Sequence, residues 1–127
     1  MKILIVDDCP DAAIIVSRVL EGDGRTFALL NSKEEAQKYM RSNGLPDVLI
    51  TDNKMEYDTA GLDLIAESRN AGYRGAILLF TSDELNDRCS LSLFSYAATY
   101  LRKPADRDVI NACFLLACRV ADRCFRY

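Results

Sequence analysis

The sequence predicts an α/β fold, (βα)5, in which helices cover both faces of a doubly wound parallel sheet. Five short apolar runs alternate along the chain with longer segments of helical periodicity, and such alternation favours parallel strands joined by right-handed crossovers. The runs are almost continuously apolar, which is typical of strands buried on both faces. The predicted strands are residues 3–6, 26–30, 48–51, 76–80 and 98–101.

The first two helices are predicted from apolar spacing and from residues typical of helix ends. Residues 11–21 follow a proline suited to a first helical turn. The second helix starts at Ser32 and Glu35, whose spacing is that of a capping box, and it ends at Gly44. The residues expected to be buried are Ile15, Val16, Val19 and Leu20 in the first helix and Ala36, Tyr39 and Met40 in the second.

Three further helices are predicted over residues 61–71, 84–95 and 105–123. Each has apolar residues spaced three or four apart, so that one face of the helix can pack on the sheet. The residues expected to face the core are Leu62 and Ile65 in the third helix, Leu85, Cys89 and Leu93 in the fourth, and Val109, Ile110, Cys113, Leu116, Ala117 and Val120 in the fifth.

Length and charge exclude several classes of protein. A chain of 127 residues fits one domain, so we expect a single domain over residues 1–127 with no output domain. A net charge of −3 disfavours a protein whose main task is to grip nucleic acid by its phosphates. No apolar run is long enough to span a membrane, and the first residues do not form a secretory signal, which favours a cytoplasmic protein.

Cysteine and histidine usage narrows the chemistry further. The chain has five cysteines, no Cys-x-x-Cys pair and no histidine. This pattern disfavours a zinc site or a disulfide framework and favours reduced thiols that act as small apolar residues. The chain also lacks the commonest general base, which excludes a Ser-His or Cys-His catalytic pair within it.

Polar side chains follow four of the five predicted strands. Asp7 and Asp8 follow the first strand, Asp52 the third, Thr81 the fourth and Lys103 the fifth. In open α/β sheets, ligands bind at the carboxyl ends of the strands. Two carboxylates about 4 Å apart repel by about 4 kcal/mol at an effective dielectric constant near 20. An oxygen-binding cation such as Mg²⁺ together with the lysine ammonium would compensate such a cluster, and protonation of the acids is the alternative.

Each of these residues also has an ordinary structural interpretation. The aspartate pair could cap the first helix, since aspartate is favoured at that position. Asp52 could be a loop acid, Thr81 a strand or turn residue, and Lys103 part of a surface stop signal. Their coincidence at successive strand ends favours one shared site, because chance would scatter them over both edges of the sheet.

In order and spacing, these residues resemble the receiver domain of bacterial response regulators. The resemblance spans essentially the whole chain. It consists of the acidic pair, the segment 46–52 that ends at the phosphoacceptor position, the helix start at Gly61-Leu62, the hydroxyl of Thr81, and Lys103-Pro104. The resemblance implies a flavodoxin-like fold with strand order 2-1-3-4-5.

The resemblance also implies a phosphoacceptor. Asp52 would take a phosphoryl group from a phosphohistidine on a histidine kinase or a histidine phosphotransfer protein. Mg²⁺ would be bound by Asp8, Asp52 and the backbone carbonyl of Lys54, with Asp7 acting through a metal-bound water. A carboxylate nucleophile needs no general base, which suits a chain without histidine. The protein would phosphorylate and dephosphorylate itself without being a turnover enzyme.

The family's switch residues have counterparts in this chain. Thr81 and Lys103 would each contact a phosphoryl oxygen. In the family, the hydroxyl residue moves toward the phosphoryl group and the aromatic at the position of Tyr100 turns inward. This movement would reshape the face formed by helix four, strand five and helix five, through which a downstream target protein would bind. Tyr100 also has the alternative of an ordinary half-buried strand residue.

The chain departs from the family pattern after Asp52. Glu56 stands where the family usually has proline, and the loop 53–60 is one residue longer than the commonest spacing. We therefore expect this loop to have its own conformation. Lys54 and Asp83 occupy positions that, in the family, influence how fast the aspartyl phosphate hydrolyses.

The last helix has apolar residues off its predicted core stripe, which predicts a partner or homodimer surface on helices four and five. Simple exposure of a few apolar groups is the alternative. The off-stripe residues are Phe114, Leu115, Cys118, Phe125 and Tyr127, which lie among Arg119, Arg123 and Arg126.

Other functional classes fit the residues less well. A phosphatase with an aspartyl nucleophile needs an Asp-x-Asp motif after the first strand, which Asp7-Asp8-Cys9 does not supply. A flavodoxin-type electron carrier needs a hydroxyl- and glycine-rich phosphate loop at the same place. The remaining alternative is a pseudo-receiver, a protein-interaction module that works without phosphorylation.

Overall fold

The computed structural model describes residues 1–125 and contains the predicted alternation of strands and helices. The strands are β1 (Lys2–Val6), β2 (Thr26–Leu30), β3 (Val48–Thr51), β4 (Ala76–Thr81) and β5 (Thr99–Arg102). The helices are α1 (Pro10–Val19), α2 (Lys33–Asn43), α3 (Ala60–Asn70), α4 (Asp87–Ser95) and α5 (Arg107–Phe125). The strands form one parallel sheet in the order β2-β1-β3-β4-β5, so the predicted fold and strand order are confirmed.

The helices cover both faces of the sheet and create two hydrophobic cores. One core lies between the sheet and α1 and α5, and the other lies between the sheet and α2, α3 and α4. Every residue of β3 and β4 is buried. The near-continuous apolarity of these strands therefore has a direct cause, since successive side chains enter opposite cores.

Two predicted helix faces differ from the observed ones. In α1, Ile15 is 59% exposed, whereas Val16 and Ala13 are buried. In α5, Leu116 and Val109 are 51% and 42% exposed, whereas Phe114, predicted to lie off the core stripe, is only 1% exposed. Both helices have apolar residues around most of their circumference, so periodicity alone allowed more than one stripe. The buried stripe of α5 is Ile110, Phe114, Ala117 and Ala121.

Burial removes Phe114 from the predicted partner surface, and Phe125 also packs partly against the α1 and α5 core. Leu115 is 55% exposed, as that prediction requires. Two further residues named for that surface, Arg126 and Tyr127, lie outside the described part of the chain.

Helix starts are set by local capping. The Ser32 hydroxyl accepts the Glu35 amide at 3.1 Å, as predicted, but the Glu35 carboxylate accepts the amide of Asn31 rather than that of Ser32. Helix α4 begins at Asp87, three residues later than predicted, because the side chain of Asn86 caps it. None of the helices in residues 1–125 has the length and apolar character needed to cross a membrane.

Arg69 fastens the end of α3 to the neighbouring elements. Its side chain is partly buried and lies 4.5 Å from the centre of the Phe125 ring at the end of α5. Its guanidinium donates to four backbone carbonyls, those of Tyr96, Gly75, Tyr73 and Ala97, at 2.7, 2.7, 2.9 and 3.4 Å. This one side chain therefore joins the ends of α3, α4 and α5 and the segment that leads into β4.

Candidate functional site

Three aspartates meet at the carboxyl ends of β1 and β3. Carboxylate oxygens of Asp7, Asp8 and Asp52 lie within 4.8 Å of one another, a spacing that could hold a metal ion. The register of the two strands, which pairs Val6 with Thr51, brings these residues together. Asp7 is buried and Asp8 is exposed, so the cluster is open to solvent on one side. An all-oxygen donor set of this kind suits Mg²⁺ better than a softer metal.

Lys103 compensates the charge of the cluster. Its Nζ lies 2.7 Å from Asp7 Oδ2 and 3.4 Å from Asp52 Oδ2. The Lys103 backbone amide donates to the carbonyl of Thr81 at 2.8 Å, which fixes the residue at the end of β5. Burial opposes the charged form of Lys103, but the Asp7 hydrogen bond and the two carboxylate charges outweigh it, so the pKa of Lys103 is raised.

Thr81 and Tyr100 are linked through Asp83. Thr81 is buried at the end of β4, and its hydroxyl accepts the Asp83 amide at 3.2 Å. Tyr100 is half-buried in β5, and its hydroxyl donates to the Asp83 carbonyl at 2.6 Å. The backbone of Asp83 thus connects the hydroxyl at the end of β4 with the aromatic ring of the edge strand.

Asn53 is a site residue that the sequence prediction omits. It is 4% exposed, and its side-chain amide donates to Asp83 Oδ2 at 2.9 Å while its Oδ1 accepts the Leu62 amide at 3.1 Å. Its backbone amide also donates to Asp52 Oδ1 at 2.7 Å. The sequence shows only that a short polar residue directly follows a buried strand. It does not show the partners of the Asn53 side chain, which lie on two other segments. The Asp83 carboxylate also pairs with Lys54 Nζ at 3.4 Å.

Gly61 allows α3 to start against the site. A Cβ at this position would overlap the backbone oxygen of Asp52 and would lie 2.7 Å from the Asn53 Cα. The Gly61 amide donates to the Asn53 carbonyl at 2.9 Å. The glycine is therefore required by close backbone contact, and it presses the first turn of α3 against the residues that follow β3.

The loop between β3 and α3 lies against the start of α2. The Glu56 carboxylate accepts the backbone amides of Lys33 at 2.8 Å and Glu34 at 3.0 Å. Burial alone would raise the pKa of Glu56, but these amides stabilise the carboxylate more, so its pKa is lowered. Lys33 Nζ in turn contacts Glu67 at 2.9 Å and the Tyr57 hydroxyl at 3.1 Å, and these hydrogen bonds raise the pKa of Lys33.

Solved structures of receiver domains share this fold. A two-component response regulator from Clostridium difficile is 26% identical, with a TM-score of 0.78 over 94% of this chain and 96% of that one. The response regulator TrrA from Thermotoga maritima, solved in complex with Mg²⁺ and BeF, is 28% identical, with a TM-score of 0.76 over 91% and 97%. A CheY-like receiver domain from Methanospirillum hungatei, 18% identical with a TM-score of 0.80 over 96% of each chain, shows the fold alone. No curated protein matches the chain.

A sequence model of a protein family also matches most of the chain. The model of the response regulator receiver domain matches residues 3–114. That span runs from β1 into α5 and includes every residue of the carboxylate cluster, together with Thr81 and Lys103. The chain belongs to the response regulator receiver domain family.

Proposed function

We propose that the protein is a phosphoacceptor switch of a two-component system or phosphorelay and that Asp52 accepts the phosphoryl group. The observation that carries this proposal is the meeting of Asp52 with Asp7, Asp8 and Lys103 at one edge of the sheet. The donor is a phosphohistidine on a histidine kinase or a histidine phosphotransfer protein. The protein is not a turnover enzyme, since it accepts one phosphoryl group and later hydrolyses its own aspartyl phosphate.

In the proposed transfer, Asp52 is the nucleophile. Its Oδ1 accepts the Asn53 amide, and its Oδ2 lies on the side of Lys103. Oδ2 attacks the phosphorus, a new O–P bond forms, and the P–N bond of the phosphohistidine breaks with its electron pair going to the imidazole nitrogen. No proton has to leave the nucleophile, so a general base is not needed.

The neighbouring residues position and neutralise the phosphoryl group. Lys103 places its ammonium beside one equatorial oxygen, and the Thr81 hydroxyl meets another after releasing the Asp83 amide. Asp8, Asp52 and the backbone carbonyl of Lys54 would hold Mg²⁺, with Asp7 acting through a water, and the ion would supply charge neutralisation. Positioning and charge neutralisation provide most of the catalysis in phosphoryl transfer.

The proposed output is a change in the α4-β5-α5 face. Thr81 and Tyr100 both form hydrogen bonds with the backbone of Asp83. Movement of the Thr81 hydroxyl toward the phosphoryl group would therefore shift the Asp83 backbone and, with it, the position of the Tyr100 ring. That face offers apolar side chains to a downstream target protein, because Phe94 is 84% exposed and Leu91 is 70% exposed. In this proposal the signal leaves through the bound target protein, and homodimerisation on the same face is an alternative.

Intact mass measurement tests the acceptor role. After incubation with acetyl phosphate and Mg²⁺, the wild-type protein is expected to gain one phosphoryl group. Asp52→Asn is expected to gain none, because an amide oxygen is a far weaker nucleophile than a carboxylate, and chelation of Mg²⁺ is expected to suppress the adduct. Asp58→Asn, a change of the same kind in the adjoining exposed loop, serves as the control and keeps the adduct.

Failure of the wild-type protein to form the adduct, both with acetyl phosphate and with a histidine-phosphorylated donor, would overturn the proposal. That result would favour the pseudo-receiver alternative, in which the domain binds partners without phosphorylation.

A further inference from the structure

Glu56 ties the loop between β3 and α3 to the start of α2. Its Oε1 accepts the Lys33 amide at 2.8 Å, and its Oε2 accepts the Glu34 amide at 3.0 Å. These two amides lie in the first turn of α2, where backbone amides have no partner within the helix. The loop carboxylate therefore supplies the hydrogen-bond acceptors that these two helix amides lack, and both of its oxygens are held in place.

The residue after Glu56 fastens the same loop a second time. The Tyr57 hydroxyl donates to Asp63 Oδ2 at 2.7 Å and accepts from Lys33 Nζ at 3.1 Å. The Tyr57 carbonyl accepts the amides of Met55 at 3.2 Å and Ala60 at 3.3 Å, which closes the turn. The end of the loop toward α3 is thus anchored on both α2 and α3.

Lys54 lies between two fixed residues. Asn53, immediately before it, is buried and bonds to Leu62 and Asp83. Glu56 is fixed two residues after it. The Lys54 side chain is itself 65% exposed, so its neighbours set the position of its peptide group more than its own side chain does. A chain segment held at both sides has few accessible conformations.

We propose that Glu56 is a positioning residue for the metal site and that its bonds to α2 restrain the backbone at Lys54, whose carbonyl would be a metal ligand. The inference rests on the proposed function, in which this carbonyl is a Mg²⁺ ligand. A ligand already in place need not be ordered when the ion binds, whereas a free loop has to be ordered at a cost in affinity. Loss of Glu56 therefore weakens Mg²⁺ binding without removing any ligand.

Isothermal titration calorimetry with Mg²⁺ on the full chain tests this role. Glu56→Ala is expected to bind Mg²⁺ about tenfold more weakly, the lower end of the loss seen when a group that orients a metal ligand is removed. Glu56→Gln is expected to fall between wild type and Glu56→Ala, because its amide oxygen can still accept a backbone amide. If Glu56→Ala does not fold, Glu56→Gln carries the comparison.

Glu34→Gln is the matched control for charge. It also removes one negative charge at the start of α2, but within residues 1–125 the Glu34 carboxylate pairs only with Lys38 of the same helix, at 3.2 Å. We expect it to bind Mg²⁺ as the wild type does. Backbone amide hydrogen exchange gives a second readout without metal, since the amides of residues 33 and 34 are expected to exchange faster in the Glu56 variants only.

The outcomes separate this inference from the proposed function. Wild-type Mg²⁺ affinity in both Glu56 variants, or an equal loss in Glu34→Gln, would overturn the positioning role and leave the phosphoacceptor proposal standing. Absence of Mg²⁺ binding by the wild-type protein would overturn both.

Discussion

Lys103 is the residue on which the carboxylate cluster depends for its balance of charge. Its side chain is 21% exposed and reaches Asp7 at 2.7 Å, although the two residues are 96 positions apart in the sequence. The Asp7 side chain is only 7% exposed, so water provides little compensation for its charge. Removing a partner from such a pair costs more than the pair itself contributes, because a buried charge is left alone.

Lys103→Met is expected to lower the free energy of unfolding by about 1–3 kcal/mol in the absence of Mg²⁺, the usual cost of leaving a buried polar group without its partner. Added Mg²⁺ is expected to narrow this deficit, since an ion that binds only the folded state stabilises it. Urea unfolding with and without Mg²⁺ measures both effects. Lys38→Met, which breaks an exposed pair within α2, is the control and is expected to change little.

If Lys103→Met loses the same free energy of unfolding with and without Mg²⁺, the lysine ammonium and the ion do not compensate the same carboxylates.

Residue patterns predicted the acidic and basic members of the site but not the polar residues that support them. Asp52 and Lys103 could be predicted because strand ends are visible as the ends of apolar runs. Neither the role of Asn53 nor the bonds of Glu56 to α2 could be predicted, because their partners lie on other loops and helix starts, and no local pattern encodes such long-range hydrogen bonds. Their roles follow from the register of the sheet and the path of one loop.

Among the elements, α3 is linked to the ends of α4 and α5 by the side chain of Arg69, in addition to its apolar packing. Arg69→Gln is expected to lower the free energy of unfolding by about 1–3 kcal/mol, because it leaves partly buried carbonyls without their donor. Its main local effect is expected at the end of α4, where two of those carbonyls lie. Hydrogen exchange at residues 96–100 and urea unfolding measure the two effects.

Arg41→Gln in α2 is the matched control, since Arg41 is exposed. Unchanged exchange at residues 96–100 in Arg69→Gln would show that α4 is held by its apolar contacts alone.

Strands were easier to predict than helix faces. A fully buried strand such as β4 is apolar at nearly every position, so its place in the chain is evident whichever face each residue occupies. Helix α5 has apolar residues around most of its surface, and only packing decides which of them are buried. Its buried stripe includes Ala117 and Ala121, whose small side chains let the helix approach the sheet.

For the whole molecule, alkaline pH is expected to reduce stability partly through Tyr73. This residue is 4% exposed, its hydroxyl donates to the Pro46 carbonyl at 2.8 Å, and burial raises its pKa. Above about pH 10 the unfolded chain loses this proton while the folded protein keeps it, so the free energy of unfolding falls as pH rises. The raised pKa values of Lys33 and Lys103 act in the same direction.

Tyr73→Phe is therefore expected to show a shallower loss of stability between pH 10 and 11, by up to about 1.4 kcal/mol per pH unit, the value of one proton. Urea unfolding from pH 8 to 11 measures the slope. Identical slopes in the variant and the wild type would mean that Tyr73 ionises in both states alike.

The separation between Lys103 and the aspartates has a consequence for the growing chain. Synthesis from the N terminus produces Asp7, Asp8 and Asp52 before Lys103, which follows Asp52 by 51 residues. Until β5 docks beside β4, the carboxylates at the ends of β1 and β3 repel one another without the ammonium of Lys103. Most of the domain must therefore be synthesised before Lys103 can reduce the repulsion among these carboxylates. A chain that terminates before residue 103 carries the three aspartates without the lysine that partly neutralises them.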